Sequence, residues 1–139
     1  MVLDTSVLVA AMRSDLGASR QLLLAALGGR ISVVASVALV LEYESVLTRE
    51  EHLRAAGVSR KEMLAVVDAL VSVAIPVKLS FQWRPMLGDA DDDLVLEAAA
   101  NGQAGAIVTL NVRDFSRVPP FFGIEILSPG EVLKRVRQI

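Results

Sequence analysis

The sequence contains no cysteine. This absence excludes a disulfide framework, a thiolate metal site and a cysteine nucleophile, and with them the zinc fingers and the thiol enzymes. Basic residues are not in excess either, because 14 Lys and Arg stand against 16 Asp and Glu and give a net charge of −2. A protein that coats nucleic acid through overall positive charge is therefore excluded, and any contact with nucleic acid must be local.

Long apolar runs are also missing. Residues 31–41 are mostly apolar, but Arg30 and Glu42 bound this stretch far short of the roughly 20 residues of a membrane-spanning helix. Asp4 interrupts the N-terminus where the apolar region of a signal peptide would build up. The chain has 139 residues, 53% of them apolar, which is enough for one packed domain. A single soluble domain over residues 1–139, located in the cytoplasm, is expected.

The sequence does contain an alternation of short apolar strands and helical segments, which is typical of an α/β domain with a largely parallel sheet. The pattern predicts strands over residues 1–3, 31–35, 75–79, 106–109 and 124–127, and helices that include residues 19–27, 37–47 and 92–101. Three Ser/Thr-x-x-Glu capping boxes mark further helix starts, at Thr48, Ser59 and Ser128. Ligands of such sheets bind beyond the carboxyl ends of the strands, so polar residues that directly follow strands are candidates for a site.

Four spaced carboxylates are the candidate site residues. Asp4 follows the first strand, Asp92 lies in an acidic run before a helix, and Asp114 follows the fourth strand. Glu42 lies on a stripe of small or polar side chains of its helix, whereas Glu44 lies beside apolar ones, which favours Glu42. All-oxygen clusters of this kind hold Mg²⁺ or Mn²⁺, which commonly serve phosphate chemistry. Supporting polar groups at the same strand ends are Thr5, Ser6, Thr109 and Asn111.

Each carboxylate also has a purely structural interpretation. Asp4 is suited to cap a helix, and Asp114 is suited to organise a turn. The aspartates at positions 89, 91, 92 and 93 would complement a helix dipole, which one or two of them would accomplish. Four acids are more than capping needs, because like charges this close repel one another unless a cation lies among them. The number of acids therefore favours a metal site.

Five segments occur in an order and spacing that are specific together: LDTSVLV at residues 3–9, EYESVL at 42–47, DADDDLVLEAA at 89–99, IVTLNVRDF at 107–115 and ILSPGE at 126–131. In these segments the chain resembles PIN-domain proteins, and in particular the toxin components of bacterial toxin–antitoxin systems, VapC-like in the broad sense. The resemblance extends from residue 2 to about residue 133.

The resemblance implies a three-layer α/β/α fold with a central parallel sheet of strand order 3-2-1-4-5, and Mg²⁺- or Mn²⁺-dependent cleavage of RNA. Asp4 matches the first metal-binding aspartate of the family, Glu42 its helix glutamate, and Asp92 the aspartate that opens the helix after the acidic run. Asp4, Asp92 and Asp114 would then hold the ion, and Glu42 would orient or deprotonate the attacking water. An RNA substrate, a cognate antitoxin protein and a second copy of the chain are the implied partners.

Two positions depart from the family pattern. Many relatives have Thr-Gly-Asp after the fourth strand, whereas this chain has Thr109-Leu110-Asn111, and Ser6 stands where relatives often have asparagine. Asp114, three residues further on, is the expected replacement for the missing acid. Asn111 leaves a second interpretation open, in which the site is weakened and the domain is an RNA- or partner-binding module.

The chain lacks a residue that each other class of phosphate-handling α/β protein requires. A haloacid-dehalogenase-like phosphatase needs a second aspartate where the chain has Ser6, and no lysine stands in place for a receiver domain, since the only lysines are Lys61, Lys78 and Lys134. No Gly-x-Gly-x-x-Gly motif follows a strand, which excludes a dinucleotide-binding fold.

Several further residues carry expectations of their own. His52 lies in a charged helical segment and is expected to be exposed, and Trp83 is expected to cover the core rather than stack on a base. The strongly apolar helices over residues 36–47 and 63–74 predict a homodimer. The candidates for phosphate binding are Arg13, Arg20, Arg49 and Arg113.

Overall fold

The computed structural model describes residues 1–78, 90–116 and 123–137. The elements of these residues are, in chain order, β1 (Val2–Leu3), α1 (Thr5–Arg13), α2 (Ala18–Leu27), β2 (Val34–Ser36), α3 (Val37–Leu47), α4 (Glu50–Ala56), α5 (Arg60–Val73), β3 (Ile75–Val77), α6 (Ala90–Asn101), β4 (Ala106–Val108), a 3₁₀ helix (Val112–Phe115), β5 (Glu125–Leu127) and α7 (Pro129–Arg137). Three predicted features lie outside the described residues, namely the end of the third strand at Leu79, the core-covering Trp83, and Asp89 of the acidic run.

The strands pair in parallel and form two ladders. In the first, β4 lies between β1 and β5, and Leu3 of β1 lies opposite Val108 of β4. In the second, β2 pairs with β3. The ladders adjoin where the Val34 N–H donates a hydrogen bond to the Met1 carbonyl at 2.9 Å. The predicted order 3-2-1-4-5 is thus confirmed within each ladder, while β2 and β1 are joined by backbone contacts rather than by a regular ladder.

The core surrounds the first ladder. Val2, Leu3, Ile107 and Val108 are completely buried, as expected for parallel strands that are covered by helices. Helix α6 packs against β1, β2 and β4, whereas α2 packs against both α1 and α7. The architecture agrees with the expected three-layer α/β/α fold.

Two of the three predicted capping boxes are confirmed. At Ser59 and Ser128, the serine hydroxyl accepts a hydrogen bond from the backbone three residues on, and the glutamate there accepts one from the serine N–H. The prediction at Thr48 is wrong. Helix α3 ends directly before Thr48, whose hydroxyl donates back to the Glu44 carbonyl at 2.6 Å, so Arg49 takes the N-cap position of α4.

The predicted strands are all found, and each described strand is shorter than expected. The second was expected over residues 31–35 and occupies Val34–Ser36, because apolar character begins in the preceding turn and does not mark where pairing begins. The predicted helices are found at nearly their expected bounds. Within the described ranges, no helix has the length and apolar character needed to cross a membrane.

Candidate active site

The site forms where β1 and β4 end side by side. The Asp4 N–H donates to the Val108 carbonyl at 2.9 Å, and the Thr109 N–H donates to the Leu127 carbonyl of β5 at 2.9 Å. Strand pairing thus continues one residue beyond each strand and fixes the backbone of both polar residues. Because the strands are parallel, the sheet brings Asp4 and Thr109 to the same edge.

Two hydroxyls hold the Asp4 carboxylate. Thr109 Oγ1 donates to Asp4 Oδ2 at 2.7 Å, and Ser6 Oγ donates to the same oxygen at 2.8 Å. Each hydroxyl also accepts a backbone hydrogen bond from the loop after β4: Leu110 N–H donates to Ser6 at 3.3 Å, and Asn111 N–H donates to Thr109 at 3.0 Å. The loop therefore orients the Asp4 carboxylate through two chains of hydrogen bonds, one through Ser6 and one through Thr109.

These contacts decide between the two interpretations of Asp4. It occupies the N-cap position of α1 with an extended backbone, yet its side chain makes no capping hydrogen bond. The carboxylate is buried and accepts the two hydroxyl bonds instead. Capping of α1 therefore does not account for Asp4.

A cleft of about 480 Å³ opens beside Asp4. It brings together all four candidate carboxylates, Asp4, Glu42, Asp92 and Asp114. Thr5, Ser6 and Asn111 also line it, while Thr109 is completely buried and acts from behind Asp4. The remaining described lining residues are Val9, Ala10, Arg13, Val46, Arg49 and Leu110.

Glu42 reaches the cleft because Tyr43 anchors its helix. The Tyr43 hydroxyl is buried and donates to the carbonyl of Leu3, the residue directly before Asp4. Burial raises the pKa of Tyr43, and the nearby Asp4 charge raises it further, so the phenol stays protonated and remains a donor. Glu44 instead lines a different, largely apolar groove. The sequence pattern pointed to Glu42 but gave no sign of the Tyr43 anchor.

The acidic run begins helix α6. Asp92 and Asp93 both lie in the first turn of the helix, where its dipole favours negative charge. Asp93 is buried, whereas Asp92 is half-buried and lines the cleft. The run therefore places one acid at the cleft in addition to any role at the helix terminus.

Asp114 and Asn111 both line the cleft, and both belong to a tight turn. The Asp114 N–H donates to the Asn111 carbonyl at 2.9 Å as the 3₁₀ helix begins, and buried Phe115 anchors that helix to the core. The turn-forming interpretation of Asp114 is correct for its backbone. Its exposed side chain is left to serve the cleft.

Positive charge at the cleft comes from Arg13 and Arg49, the basic side chains among the described residues that line it. Arg20 instead pairs with Asp15 at 3.2 Å and donates to a backbone carbonyl of α1. Arg113 is exposed and is not part of the described lining.

The expectation that His52 is exposed is wrong. Only 14% of its side chain is accessible, and its Nδ1 lies 2.8 Å from a guanidinium nitrogen of Arg13. This contact joins two helices whose residues are 39 positions apart, so no local sequence pattern could reveal it.

The donor set of the cleft fits a hard divalent cation, because its polar groups are carboxylate, amide and hydroxyl oxygens. In the part of the chain that the structure describes, no three Asp, Glu or His side chains converge closely enough to form a ligand cluster. Mg²⁺ usually keeps several waters and is held by one or two carboxylates. The cleft therefore suits a hydrated Mg²⁺ or Mn²⁺ rather than one enclosed by protein ligands.

A comparison with known protein families gives a match over most of the chain. The family described as PIN domain matches residues 1–113, which include Asp4, Glu42, Asp92 and Asn111. The match ends one residue before Asp114, the expected replacement for the missing acid. The chain matches no curated protein, and it matches no solved structure.

Proposed function

We propose that this chain, which belongs to the PIN-domain family and has its nuclease-type fold, is a metal-dependent endoribonuclease. The observation that carries the proposal is the single cleft that gathers Asp4, Glu42, Asp92 and Asp114 at the carboxyl ends of β1 and β4. Four carboxylates would repel an RNA backbone unless a cation lay between them and the phosphate. The acidic cleft of a phosphodiesterase therefore requires a bound metal.

Asp4, Asp92 and Asp114 would hold the hydrated Mg²⁺ or Mn²⁺, directly or through the waters that the ion keeps. When bound, the ion supplies Lewis-acid stabilisation of the phosphate and lowers the pKa of water. Ser6 and Thr109 fix one oxygen of Asp4, so the carboxylate is oriented before any ligand arrives.

The other residues of the cleft have separate tasks. Glu42 orients the attacking water and accepts its proton, and it reaches the cleft from a helix that Tyr43 anchors. Arg13 and Arg49 bind the phosphates on either side of the bond that is cut. Asn111 contributes an amide that orients water without adding charge.

Metal-dependent cleavage of RNA tests this assignment. We expect the protein to cut a mixed-sequence single-stranded RNA with Mg²⁺ or Mn²⁺ and to stop when EDTA is added. Asp4→Asn and Asp92→Asn should each lower the rate at least about 100-fold without loss of the fold, because a ligand charge is removed. Asp68→Asn is the matched control, since Asp68 is exposed on α5 and does not line the cleft. Unchanged cleavage in both cleft variants would reject the site.

The alternative is a weakened PIN domain that binds RNA or a protein without cutting. Asn111 favours this second function, because an amide replaces an acid at the edge of the cleft. Metal-dependent turnover separates the two functions. RNA that binds to the purified protein and stays intact under all metal conditions would support the binding module.

We further propose that the protein is the toxin of a toxin–antitoxin pair, on the basis of its sequence resemblance. Induced expression should arrest growth, and the Asp4→Asn variant should not. Co-expression of a small protein encoded next to this chain should restore growth. Normal growth during expression of an active nuclease would leave the ribonuclease in place and remove the toxin role.

A homodimer is our last proposal on function. Helix α3 exposes Val37 and Leu41, which are 76% and 60% accessible, and exposed Val71, Val73 and Ile75 lie on α5 and the adjoining β3. Apolar groups of this size in one region favour association with a second copy. Light scattering at micromolar concentration should give about twice the 14.9 kDa chain mass, and Leu41→Lys should reduce it to the monomer value. A monomeric wild type would contradict this proposal.

A further inference from the structure

We propose that His52 is a positioning residue, which holds the Arg13 guanidinium at the cleft so that it binds an RNA phosphate. This inference rests on the proposed ribonuclease function. It starts from the 2.8 Å contact between Arg13 and His52 Nδ1. A guanidinium has only donors, so Nδ1 must be the acceptor, and the imidazole must be neutral with its proton on Nε2.

Glu51 favours the same tautomer. Its carboxylate Oε1 lies 3.8 Å from Nε2, the other ring nitrogen of His52, and its negative charge favours a proton on that nitrogen. The three side chains thus form a short row in which His52 presents a lone pair to Arg13.

The choice of partner distinguishes Arg13 from other arginines of the chain. Arg20 pairs with Asp15, Arg54 pairs with Glu50, and both pairs neutralise the guanidinium charge. A neutral imidazole restrains Arg13 without cancelling its charge. It also occupies one nitrogen of the guanidinium and leaves the other donors for a phosphate. An arginine that is restrained without a paired carboxylate among the described residues suits a phosphate-binding position, because less rotamer freedom is lost on binding.

The first turn of helix α4 contacts both arginines of the cleft. Arg49 is the N-cap residue of α4, and its carbonyl accepts the His52 N–H at 2.9 Å. No side chain of α4 is fully buried, although Leu53 and Ala56 pack against the edge of the core. The geometry points to α4 as the support for the basic rim of the cleft, with Arg49 held through its backbone and Arg13 through His52.

Cleavage kinetics of four variants test the coupling. Arg13→Gln should raise KM about tenfold with little change in kcat, and it should lower the slope of log KM against log salt by about 0.7. His52→Leu should shift both quantities in the same direction, and the double variant should be no worse than Arg13→Gln alone. His52→Asn should restore most of the affinity, because the Asn amide oxygen replaces Nδ1 as the acceptor.

Arg54→Gln is the matched control. Like Arg13→Gln, it removes one arginine charge, but at an exposed position on α4 that lies outside the described cleft lining. It should change neither KM nor the salt slope. An unchanged KM in His52→Leu, or losses in the double variant that simply add, would overturn the role of His52.

Nitrogen NMR of the imidazole gives a readout that does not need cleavage. His52 is the only histidine of the chain, so the two imidazole nitrogen signals can be assigned to it directly. The wild type should show the Nε2–H tautomer, Arg13→Gln should shift the Nδ1 signal, and single-stranded RNA should shift it in the wild type only. If the protein binds RNA without cutting it, the ribonuclease proposal fails while these shifts still support the Arg13–His52 pair. A proton on Nδ1, or a signal that ignores the Arg13 change, would refute the pair.

Discussion

Thr109 donates its hydroxyl to Asp4 at 2.7 Å, across 105 residues of chain, and both side chains are buried. The same hydroxyl accepts the N–H of Asn111 at 3.0 Å, so one small side chain joins the carboxylate to the loop after β4. Outer partners of a metal-binding carboxylate fix its orientation and raise the affinity of the site. Thr109 should therefore matter to catalysis although it does not line the cleft.

Replacing Thr109 with valine tests this role. Thr109→Val keeps the shape of the side chain and removes both hydrogen bonds, so we expect cleavage to fall about 10- to 100-fold. The free energy of unfolding should fall by about 1–3 kcal/mol, because the buried Asp4 carboxylate loses a donor. Thr109→Ser keeps the hydroxyl and should retain most of the activity. Activity is measured with chemical denaturation alongside. Full activity in Thr109→Val as well as in Thr109→Ser would show that the hydroxyl is dispensable.

The two glutamates of α3 form a matched pair. Glu42 lines the carboxylate cleft, and Glu44 lines the apolar groove on the other side of the helix. Glu42→Gln should lower kcat about 100-fold or more, because a general base contributes about 10²–10⁴-fold. Glu44→Gln should leave kcat unchanged. The reverse result would mean that Glu42 is not the base of this reaction.

Calorimetric titration with Mn²⁺ distinguishes Asn111 from Asp114, which both line the cleft. We expect Asp114→Asn to weaken Mn²⁺ binding, because Asp114 supplies the charge that Asn111 lacks. Asn111→Asp should leave the affinity unchanged or weaker, since another carboxylate in an already acidic cleft increases repulsion. A several-fold gain in Asn111→Asp together with no loss in Asp114→Asn would assign the ligand role to position 111.

Tyr43 should make stability depend on alkaline pH. Burial, reinforced by the Asp4 charge, raises its pKa in the folded state, whereas the unfolded chain ionises near pH 10. The stabilisation is therefore complete below about pH 10, and the free energy of unfolding should fall above it by up to about 1.4 kcal/mol per pH unit.

Tyr43→Phe provides the comparison for that titration. It should cost about 1–2 kcal/mol at neutral pH, because the Leu3 carbonyl loses its buried partner. It should also remove the tyrosine part of the alkaline slope. Because Tyr43 is the only tyrosine, phenolate absorbance follows it alone and should appear only as the protein unfolds. Ionisation near pH 10 in the folded protein would contradict the buried assignment.

The sequence predicted the positions of the four carboxylates because each follows from a local pattern. Strand ends placed Asp4 and Asp114, the start of a helix placed Asp92, and helical phase separated Glu42 from Glu44. Each of these patterns involves only residues close in sequence to the acid, so residue spacing alone predicts the direction in which the side chain points.

The contacts that orient these acids could not be predicted in the same way. The bond between Thr109 and Asp4 depends on the register of β1 against β4, and the contact between Arg13 and His52 depends on how two helices meet. The prediction of a capping box at Thr48 was wrong for a related reason. Its capping pattern competes with a hydrogen bond to the last turn of α3, and the length of that helix decides the outcome.

The 105-residue separation of Asp4 and Thr109 also determines how long after Asp4 the ribosome adds Thr109. A ribosome adds about 5–20 residues per second, so roughly 5–20 s pass between the first acid of the cleft and the strand end that completes it. In the later part of that interval the growing chain carries Asp4 and Glu42 but has no β4 to pair with β1. For an enzyme proposed to cut RNA, the messenger being translated is the nearest substrate. The order of the elements keeps the cleft unassembled until the ribosome has added β4.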